Sequence, residues 1–184
     1  MNTVARTTFV LLVACAVAAA LRLGAWLPNV TAVGALALYA GSRLQPWLAW
    51  IPALAVMAAT DLLLERWYGY PPFNRVVYIC FLIDAVLGML LIQRVTPLRV
   101  GIGAFVSALQ FFLITNFFVW LKASDSAPLD YPKTLGGLMM CYTMALPFFG
   151  YTLLGNFVFG AAIFGADAAL ARATAPALER GEAR

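Results

Sequence analysis

The sequence predicts an all-α integral membrane protein that folds as one domain, residues 1–184, in a six-helix transmembrane bundle. Hydrophobic residues make up 64% of the chain and charged residues only 11%, and the mean hydropathy is +0.88. Soluble domains are roughly 45–50% apolar and about 25% charged. The few charges also lie between long uncharged runs, several of which reach the roughly 17–25 residues that a helix needs to cross a bilayer. A water-soluble fold is therefore excluded.

Turns that contain proline separate the first three predicted spans. Span 1 covers residues 7–23, and we interpret it as an uncleaved helix because further apolar segments follow almost at once. The turn at residues 27–29 leads to a short span 2 at residues 30–41. Pro46 is expected to open span 3, residues 46–64, because proline is tolerated in the first turn of a helix.

The remaining three spans follow the same reasoning. A loop rich in proline and aromatic residues, 65–75, precedes span 4 at residues 76–93. A short basic turn then leads to span 5 at residues 100–121. After a polar loop, we expect a short helix at the membrane surface at residues 135–142, followed by span 6 at residues 146–169.

The distribution of lysine and arginine predicts that both termini are cytoplasmic. With the N-terminus inside, seven basic residues lie on the inner side and five on the outer side, which agrees with the excess of positive charge in cytoplasmic loops. The outer loops are the long ones, and they carry most of the aromatic residues outside the spans. We therefore expect a membrane protein, in contact with the lipid bilayer, whose ligand site lies among the outer loops.

The composition excludes several kinds of chemistry. The chain has no histidine, which removes zinc hydrolase motifs and every catalytic relay that depends on imidazole. The formal charge of +4 is scattered along the sequence, so no nucleic-acid-binding surface is predicted. The sequence contains no GxxxxGK[ST] phosphate loop, so no ATP site is predicted in this chain.

Polar side chains within the spans indicate an internal site. Cys80 and Asp84 are four residues apart in span 4 and therefore share a helix face. A carboxylate within a span usually faces the bundle interior or a polar cavity, so Cys80 is expected to face inward as well. Asp61 and Asn116 add polar groups on two further spans, which favours one shared cavity. The alternative is that each of them makes a structural contact between helices.

Several segments also carry a family resemblance that covers nearly the whole chain. They are the Ala-x-x-x-Ala pairs of span 1, VVYICFLID around Cys80, FFLITNFFVW around Asn116, and YPKTLGGLMMCY followed by Pro147-Phe148-Phe149. With six short spans, they resemble the substrate-binding S-components of energy-coupling-factor (ECF) vitamin transporters, and more narrowly the BtuM family of small cobalamin transporters. The resemblance implies an inner-membrane protein that binds cobalamin (a corrinoid) at a site facing the periplasm and takes it up across the inner membrane.

The same resemblance implies a role for Cys80 as an axial ligand of the cobalt in cobalamin, which is the substrate. A thiolate is a suitable ligand for cobalt, and a chain without histidine has no imidazole to offer. Removal of cyanide from cyanocobalamin, with Cys80 as the catalytic group, is a further hypothesis. The residues expected to contact cobalamin are Trp67, Tyr68, Tyr70, Phe73, Arg75, Tyr78, Asp84, Asn116, Trp120, Tyr131 and Tyr142.

The partner and the energy source are left open by the sequence. The pairs Ala14 with Ala18 and Ala16 with Ala20 let another helix approach closely. They predict either a separate ECF coupling module or, if the protein works alone, packing within the chain. Two other function classes remain: a membrane thiol enzyme or redox protein that uses Cys80 and Cys141, and a structural protein in which these cysteines form a disulfide.

Overall fold

The structure, a computed structural model, describes residues 2–24, 29–123 and 131–174. Within these ranges it contains six α-helices and no β-strand, which confirms the predicted all-α class. The helices are α1 (Thr3–Gly24), α2 (Val33–Arg43), α3 (Ile51–Tyr68), α4 (Arg75–Leu91), α5 (Pro97–Lys122) and α6 (Leu135–Ala173). Three of them, α1, α5 and α6, are long and apolar enough to cross a membrane.

Short polar side chains begin the later helices. The Asn74 side chain accepts a hydrogen bond from the Val76 N–H at the start of α4. Thr96 and Thr134 do the same for the Arg99 and Gly137 N–H groups at the starts of α5 and α6. Such caps satisfy backbone donors that have no partner within the helix. The sequence therefore encodes these three starts locally.

The predicted surface helix at residues 135–142 is not a separate element. Residues 135–173 form one continuous helix of 39 residues that passes through Pro147. Proline lacks one backbone donor and its ring crowds the preceding turn, but the sequence on both sides of Pro147 remains apolar and helical. The break that the sequence suggested near residues 143–145 is therefore wrong, and the helix that contains predicted span 6 begins at residue 135.

The bounds of span 3 also differ from the prediction. Pro46 lies in a segment of turns, and α3 begins at Ile51 with Pro52 in its first turn. The helix continues through Trp67 to Tyr68, so part of the predicted loop at residues 65–75 is helical. Gly69, with a φ of +69°, ends it in the left-handed conformation that glycine adopts without strain.

Helix α2 is the centre of the bundle. It contacts all five other helices, and residues 33–41 are all buried. Two glycines allow the backbones of α2 and α4 to meet. A Cβ atom at Gly41 would lie 2.0 Å from the Ala85 carbonyl oxygen, and one at Gly88 would lie 2.2 Å from the Leu38 carbonyl oxygen. At 11 residues, α2 is much shorter than α1, α5 and α6.

The bundle has two ends, which we name after residues there. At the Gly69 end, α1 and α3 terminate and α2 and α4 begin. At the Arg43 end, α1 begins and α2 and α6 terminate. The buried Asp167 carboxylate of α6 is paired at the Arg43 end with Arg6 of α1, at 2.7 Å, and with Arg43 of α2. These ion pairs tie three helices together.

A third ion pair, between Arg22 and Asp61, ties the Gly69 end. Arg22 of α1 donates hydrogen bonds to the Thr60 hydroxyl at 2.7 Å and to one carboxylate oxygen of Asp61 at 2.5 Å. The other Asp61 oxygen accepts from the Tyr78 hydroxyl at 2.9 Å and from the Phe73 N–H at 3.1 Å. Asp61 therefore links α1, α3, α4 and the loop between α3 and α4.

Candidate functional site

A partly open polar cavity extends from the Gly69 end into the middle of the bundle. Its volume is about 200 Å³. Apolar side chains, including Val77, Phe81 and Phe111, form part of its wall. The polar part of the wall comes from α1, α4, α5, α6 and the segment before α2, and includes Arg22, Thr31, Asp84, Ser107, Thr152 and Asn156. The cavity therefore combines a hydrophobic wall with polar groups from most of the bundle.

Asp84 is the acidic residue of this cavity, and its side chain is only 1% exposed. One of its carboxylate oxygens accepts a hydrogen bond from the Gln110 amide nitrogen at 3.0 Å, and the Ser107 hydroxyl is a further hydrogen-bonding neighbour. Within the described residues, Asp84 takes part in no ion pair. The carboxylate is thus held by neutral groups only.

The amide donors beside Asp84 are all used by acceptors of the protein. The Asn156 amide nitrogen donates to the Ser107 hydroxyl oxygen at 2.8 Å and to the Ala104 carbonyl at 3.4 Å. The Gln110 nitrogen donates to Asp84 and also to the Cys80 carbonyl at 3.2 Å. The Gln110 side-chain oxygen, in contrast, is buried without a hydrogen-bond partner. The cluster therefore has hydrogen-bond acceptors to spare and no free amide donor.

The residue at position 34, in the first turn of α2, has to be small for this cluster to form. A Cβ atom at Gly34 would lie 2.6 Å from the Asn156 side-chain oxygen. Contacts that short are not tolerated, so the Asn156 side chain would have to shift for any larger residue at position 34. Gly34 thus permits an interaction between α2, α5 and α6 that places the amide at the cavity wall.

Cys80 and Asp84 both face the interior of the bundle, as predicted from their spacing. The Cys80 side chain is 0% exposed, one helical turn from Asp84. It is not part of the cavity wall, to which Val77 and Phe81 of the same helix contribute instead. A protein wall therefore separates the Cys80 sulfur from the cavity.

Most of the predicted loop aromatics lie together on the surface of the Gly69 end. Trp67, Tyr68, Tyr70 and Phe73 are all exposed. The ring centroids of Tyr68 and Tyr70 are 5.8 Å apart, and those of Phe73 and Tyr78 are 6.0 Å apart. Arg75, at the start of α4, is exposed as well. We call this set the aromatic rim, composed of Trp67, Tyr68, Tyr70, Phe73 and Tyr78.

The other four predicted contact residues lie away from the cavity. Tyr131 is buried, and the remaining three donate hydrogen bonds to backbone carbonyls, with Asn116 bonding Phe112 of its own helix. The expectation that Asn116 shares a cavity with Asp84 is wrong, because the carbonyl four residues earlier satisfies its amide locally. Trp120 donates to Pro132 at 2.9 Å and Tyr142 to Leu113 at 2.7 Å, so both join α5 to the segment that begins α6.

All three cysteines are free thiols. The Cys141 thiol donates to the Asn116 carbonyl at 3.4 Å, and no disulfide joins it to Cys80. The disulfide that we considered for a structural protein is therefore not formed. This leaves the thiol of Cys80 without a covalent partner.

The alanine pairs of α1 divide between two faces. Ala14 and Ala18 are buried inside the bundle, where their small size allows close helix packing. Ala16 and Ala20 lie on the exposed face of the same helix. Only the second pair is therefore open to a partner protein or to lipid.

Sequence reasoning did not single out three residues that build the polar cluster: Ser107, Gln110 and Asn156. The signal was available, because Ser107 and Gln110 are three residues apart on one face of α5, and Asn156 is an amide within an apolar helix. Polar groups in a transmembrane helix are costly and tend to face the bundle interior. The rule that identified Asp84 applies to these residues too.

The comparisons with known proteins identify a family without assigning an activity. No curated protein and no solved structure matches the chain. The family DUF6580, described as a family of unknown function, matches residues 2–178. Because this match covers nearly the whole sequence, the chain belongs to the DUF6580 family.

Proposed function

We propose that the chain is a multi-pass transport protein of the inner membrane, which binds a solute from the outer side in the central cavity. In this arrangement the six helices form the transmembrane bundle, both termini are cytoplasmic and the Gly69 end faces the periplasm. The count of seven inner and five outer basic residues supports this orientation. The short α2 fits the arrangement because the other helices surround it.

The observation that carries this proposal is the buried Asp84 carboxylate in a cavity that opens at one end. Ionisable side chains inside membrane helices are costly, and they commonly mark a substrate or ion pathway. Ion pairs tie both ends of the bundle, those of Asp167 at the Arg43 end and that of Arg22 with Asp61 beside the opening. A cavity that opens at one end of a tied bundle is the arrangement that a solute-binding transporter needs in its outward-facing state.

Site-directed labelling tests the direction of the opening. In a variant with all three cysteines replaced by alanine, Thr152→Cys places a thiol in the cavity wall. An impermeant thiol reagent is expected to modify it in intact cells, since the cavity opens outward. The matched control is Val95→Cys, at the exposed turn of the Arg43 end, which should react only after the membrane is permeabilised. The reverse pattern would contradict the proposed orientation.

Cobalamin is the cargo that the family resemblance implies, and we propose it as the first solute to test. The aromatic rim supports this choice, because exposed aromatic rings offer flat surfaces to a corrin. The cavity itself is about 200 Å³, whereas pockets for drug-sized ligands measure about 300–1,000 Å³, and cobalamin is larger still. Contact between its cobalt and the buried Cys80 therefore requires α4 to move away from its neighbours.

Absorption spectroscopy of purified protein with cyanocobalamin tests the role of Cys80. In the proposed ligand exchange, the cobalt–cyanide bond breaks, cyanide leaves with its electron pair, and the Cys80 thiolate forms the new bond to cobalt. The wild type and Cys15→Ala should then shift the corrin bands equally, while Cys80→Ala should not shift them. An unchanged spectrum with saturated wild-type protein would refute cobalt ligation and decyanation together.

The proposed partner is an ECF coupling module that docks on α1, with solitary transport as the alternative. The exposed Ala16 and Ala20 support a contact on this face. Cobalamin uptake is therefore compared in cells that contain or lack such a module. Uptake only with the module, and its loss in Ala16→Leu, would support docking. Equal uptake in both strains would favour a protein that works alone.

A further inference from the structure

We propose that the cavity recognises a small organic cation through an ammonium group that binds at Asp84. This inference rests on the proposed outward-facing cavity, and it names a class of solute that is an alternative to cobalamin for that cavity. It is carried by three properties of the site: its charge, its hydrogen-bonding capacity and the chemistry of its wall.

The charge of the site is uncompensated. Asp84 has no cationic partner among the described residues. Arg22 also lines the cavity, but its charge is balanced by Asp61 at 2.5 Å. The cavity and its immediate ion pair therefore carry a formal charge of −1. Because a charge buried in an apolar bundle is stabilised by a charge of opposite sign, a cationic solute is favoured over a neutral or anionic one.

The hydrogen bonds point to the same class of ligand. The amide nitrogens of Gln110 and Asn156 are both engaged with protein acceptors. Two of the residues that line the cavity, Asp84 and Asn156, carry side-chain oxygens that accept hydrogen bonds. A ligand that completes this site must supply donors. A primary ammonium group has three donors and no acceptor, so it matches the groups that remain.

The wall of the cavity favours an organic cation over a metal ion. Val77, Phe81 and Phe111 are apolar lining residues, and the ring centroids of Phe81 and Phe111 are 5.7 Å apart. Hard cations such as Ca²⁺ or Mg²⁺ are bound mainly by carboxylates and other oxygen ligands, and Asp84 is the one carboxylate among the described lining residues. Aromatic rings can contact both the hydrocarbon part of an ammonium compound and its charge. A volume of about 200 Å³ limits the ligand to a small molecule.

Three probes of equal shape and different charge test this inference: benzylammonium, benzyl alcohol and benzoate. Binding to the full chain in lipid nanodiscs is measured by calorimetry at neutral pH, with empty nanodiscs as the blank. We expect benzylammonium to bind at least tenfold more tightly than benzyl alcohol, and benzoate not to bind. Asp84→Asn should weaken benzylammonium binding at least tenfold. Glu65→Gln, which removes an exposed carboxylate of α3, should leave it unchanged.

A second variant keeps the inference testable if Asp84→Asn does not fold. Gly34→Ala retains the carboxylate but forces the Asn156 amide to move, because the new Cβ would lie 2.6 Å from its oxygen. It is expected to weaken benzylammonium binding as well. Equal binding of benzyl alcohol and benzylammonium to the wild type would overturn the inference. Unchanged affinity of a folded Asp84→Asn variant for benzylammonium would also overturn it. So would a calorimetric binding signal with sodium chloride and none with benzylammonium.

The two proposals fail in different ways. If Thr152→Cys is labelled from outside but benzylammonium does not bind, the outward-facing cavity stands and the ammonium inference is wrong. If benzylammonium binds through Asp84 but Thr152→Cys is labelled only after permeabilisation, the ligand class stands and the proposed orientation is wrong.

Discussion

The contact between α2 and α4 gives a direct test of the packing at the centre of the bundle. Gly88→Ala adds a Cβ atom that would lie 2.2 Å from the Leu38 carbonyl oxygen. Ordinary contacts of this kind begin at about 3.4 Å, so the two helices must separate by about 1 Å. The atom that blocks the methyl group is part of the backbone, so a change of side-chain rotamer does not relieve the clash.

The control is the same substitution at Gly150, where an added Cβ meets nothing within 4 Å. Both glycines lie inside helices, so alanine contributes a similar gain of about 1 kcal/mol in helix propensity at each position. Only Gly88→Ala also carries the cost of overpacking, about 1–3 kcal/mol. We therefore expect Gly88→Ala to be less stable than Gly150→Ala by about 1–3 kcal/mol.

Thermal unfolding in detergent, followed with a thiol-reactive dye, measures this difference. The dye reports unfolding because Cys80 and Cys141 are buried and free in the folded protein. For a protein of this size, 1 kcal/mol corresponds to about 2–4 °C in Tm, so a difference of several degrees is expected. Equal Tm values for the two variants would refute the close approach of α2 and α4.

Three further predictions concern charges, a hydroxyl and the thiols. Asp167→Asn is expected to lower the free energy of unfolding by about 3 kcal/mol. This value is at the lower end of the range for breaking a buried ion pair, because the two arginine side chains are 15% and 28% exposed. An unchanged denaturation midpoint would contradict this prediction. Tyr78→Phe removes one donor to Asp61 and should cost about 0.5–1.5 kcal/mol. This loss should disappear when Asp61 is already replaced by alanine, which has no hydrogen-bonding side chain. Thiol titration of the denatured protein without reductant should find all three thiols, whereas a single reactive thiol would indicate a disulfide.

The positions of the prolines show why helix bounds were only partly predictable. Pro46 was predicted to open span 3, yet it lies outside a helix. Span 6 was predicted to begin at residue 146, next to Pro147, yet Pro147 lies inside α6. Proline removes one backbone donor in each case. Whether a helix tolerates that loss depends on how the residues on either side of the proline pack against other helices. The local amino-acid sequence does not contain that information. The caps at Asn74, Thr96 and Thr134 are different, because each is satisfied within a few residues.

The sequence by itself determined the all-α class, the need of the apolar helices for a membrane environment and the inward orientation of Asp84. Composition and uncharged length are properties of each segment alone, and a carboxylate in an apolar span has few favourable places to go. The family resemblance, with Cys80 as cobalt ligand, adds a cargo hypothesis that the proposed experiments test.

Only the tertiary structure decided which polar residues meet Asp84. Asn116 and Asn156 are equivalent by any sequence rule, since both are amides within apolar helices. Asn116 is satisfied by a carbonyl of its own helix, whereas Asn156 reaches Ser107 of α5 beside Gly34. The rotation of each helix about its axis, and the distance at which two backbones can meet, follow from steric fit between segments far apart in the chain. That fit separates the amide in the cavity wall from the amide that serves only its own helix.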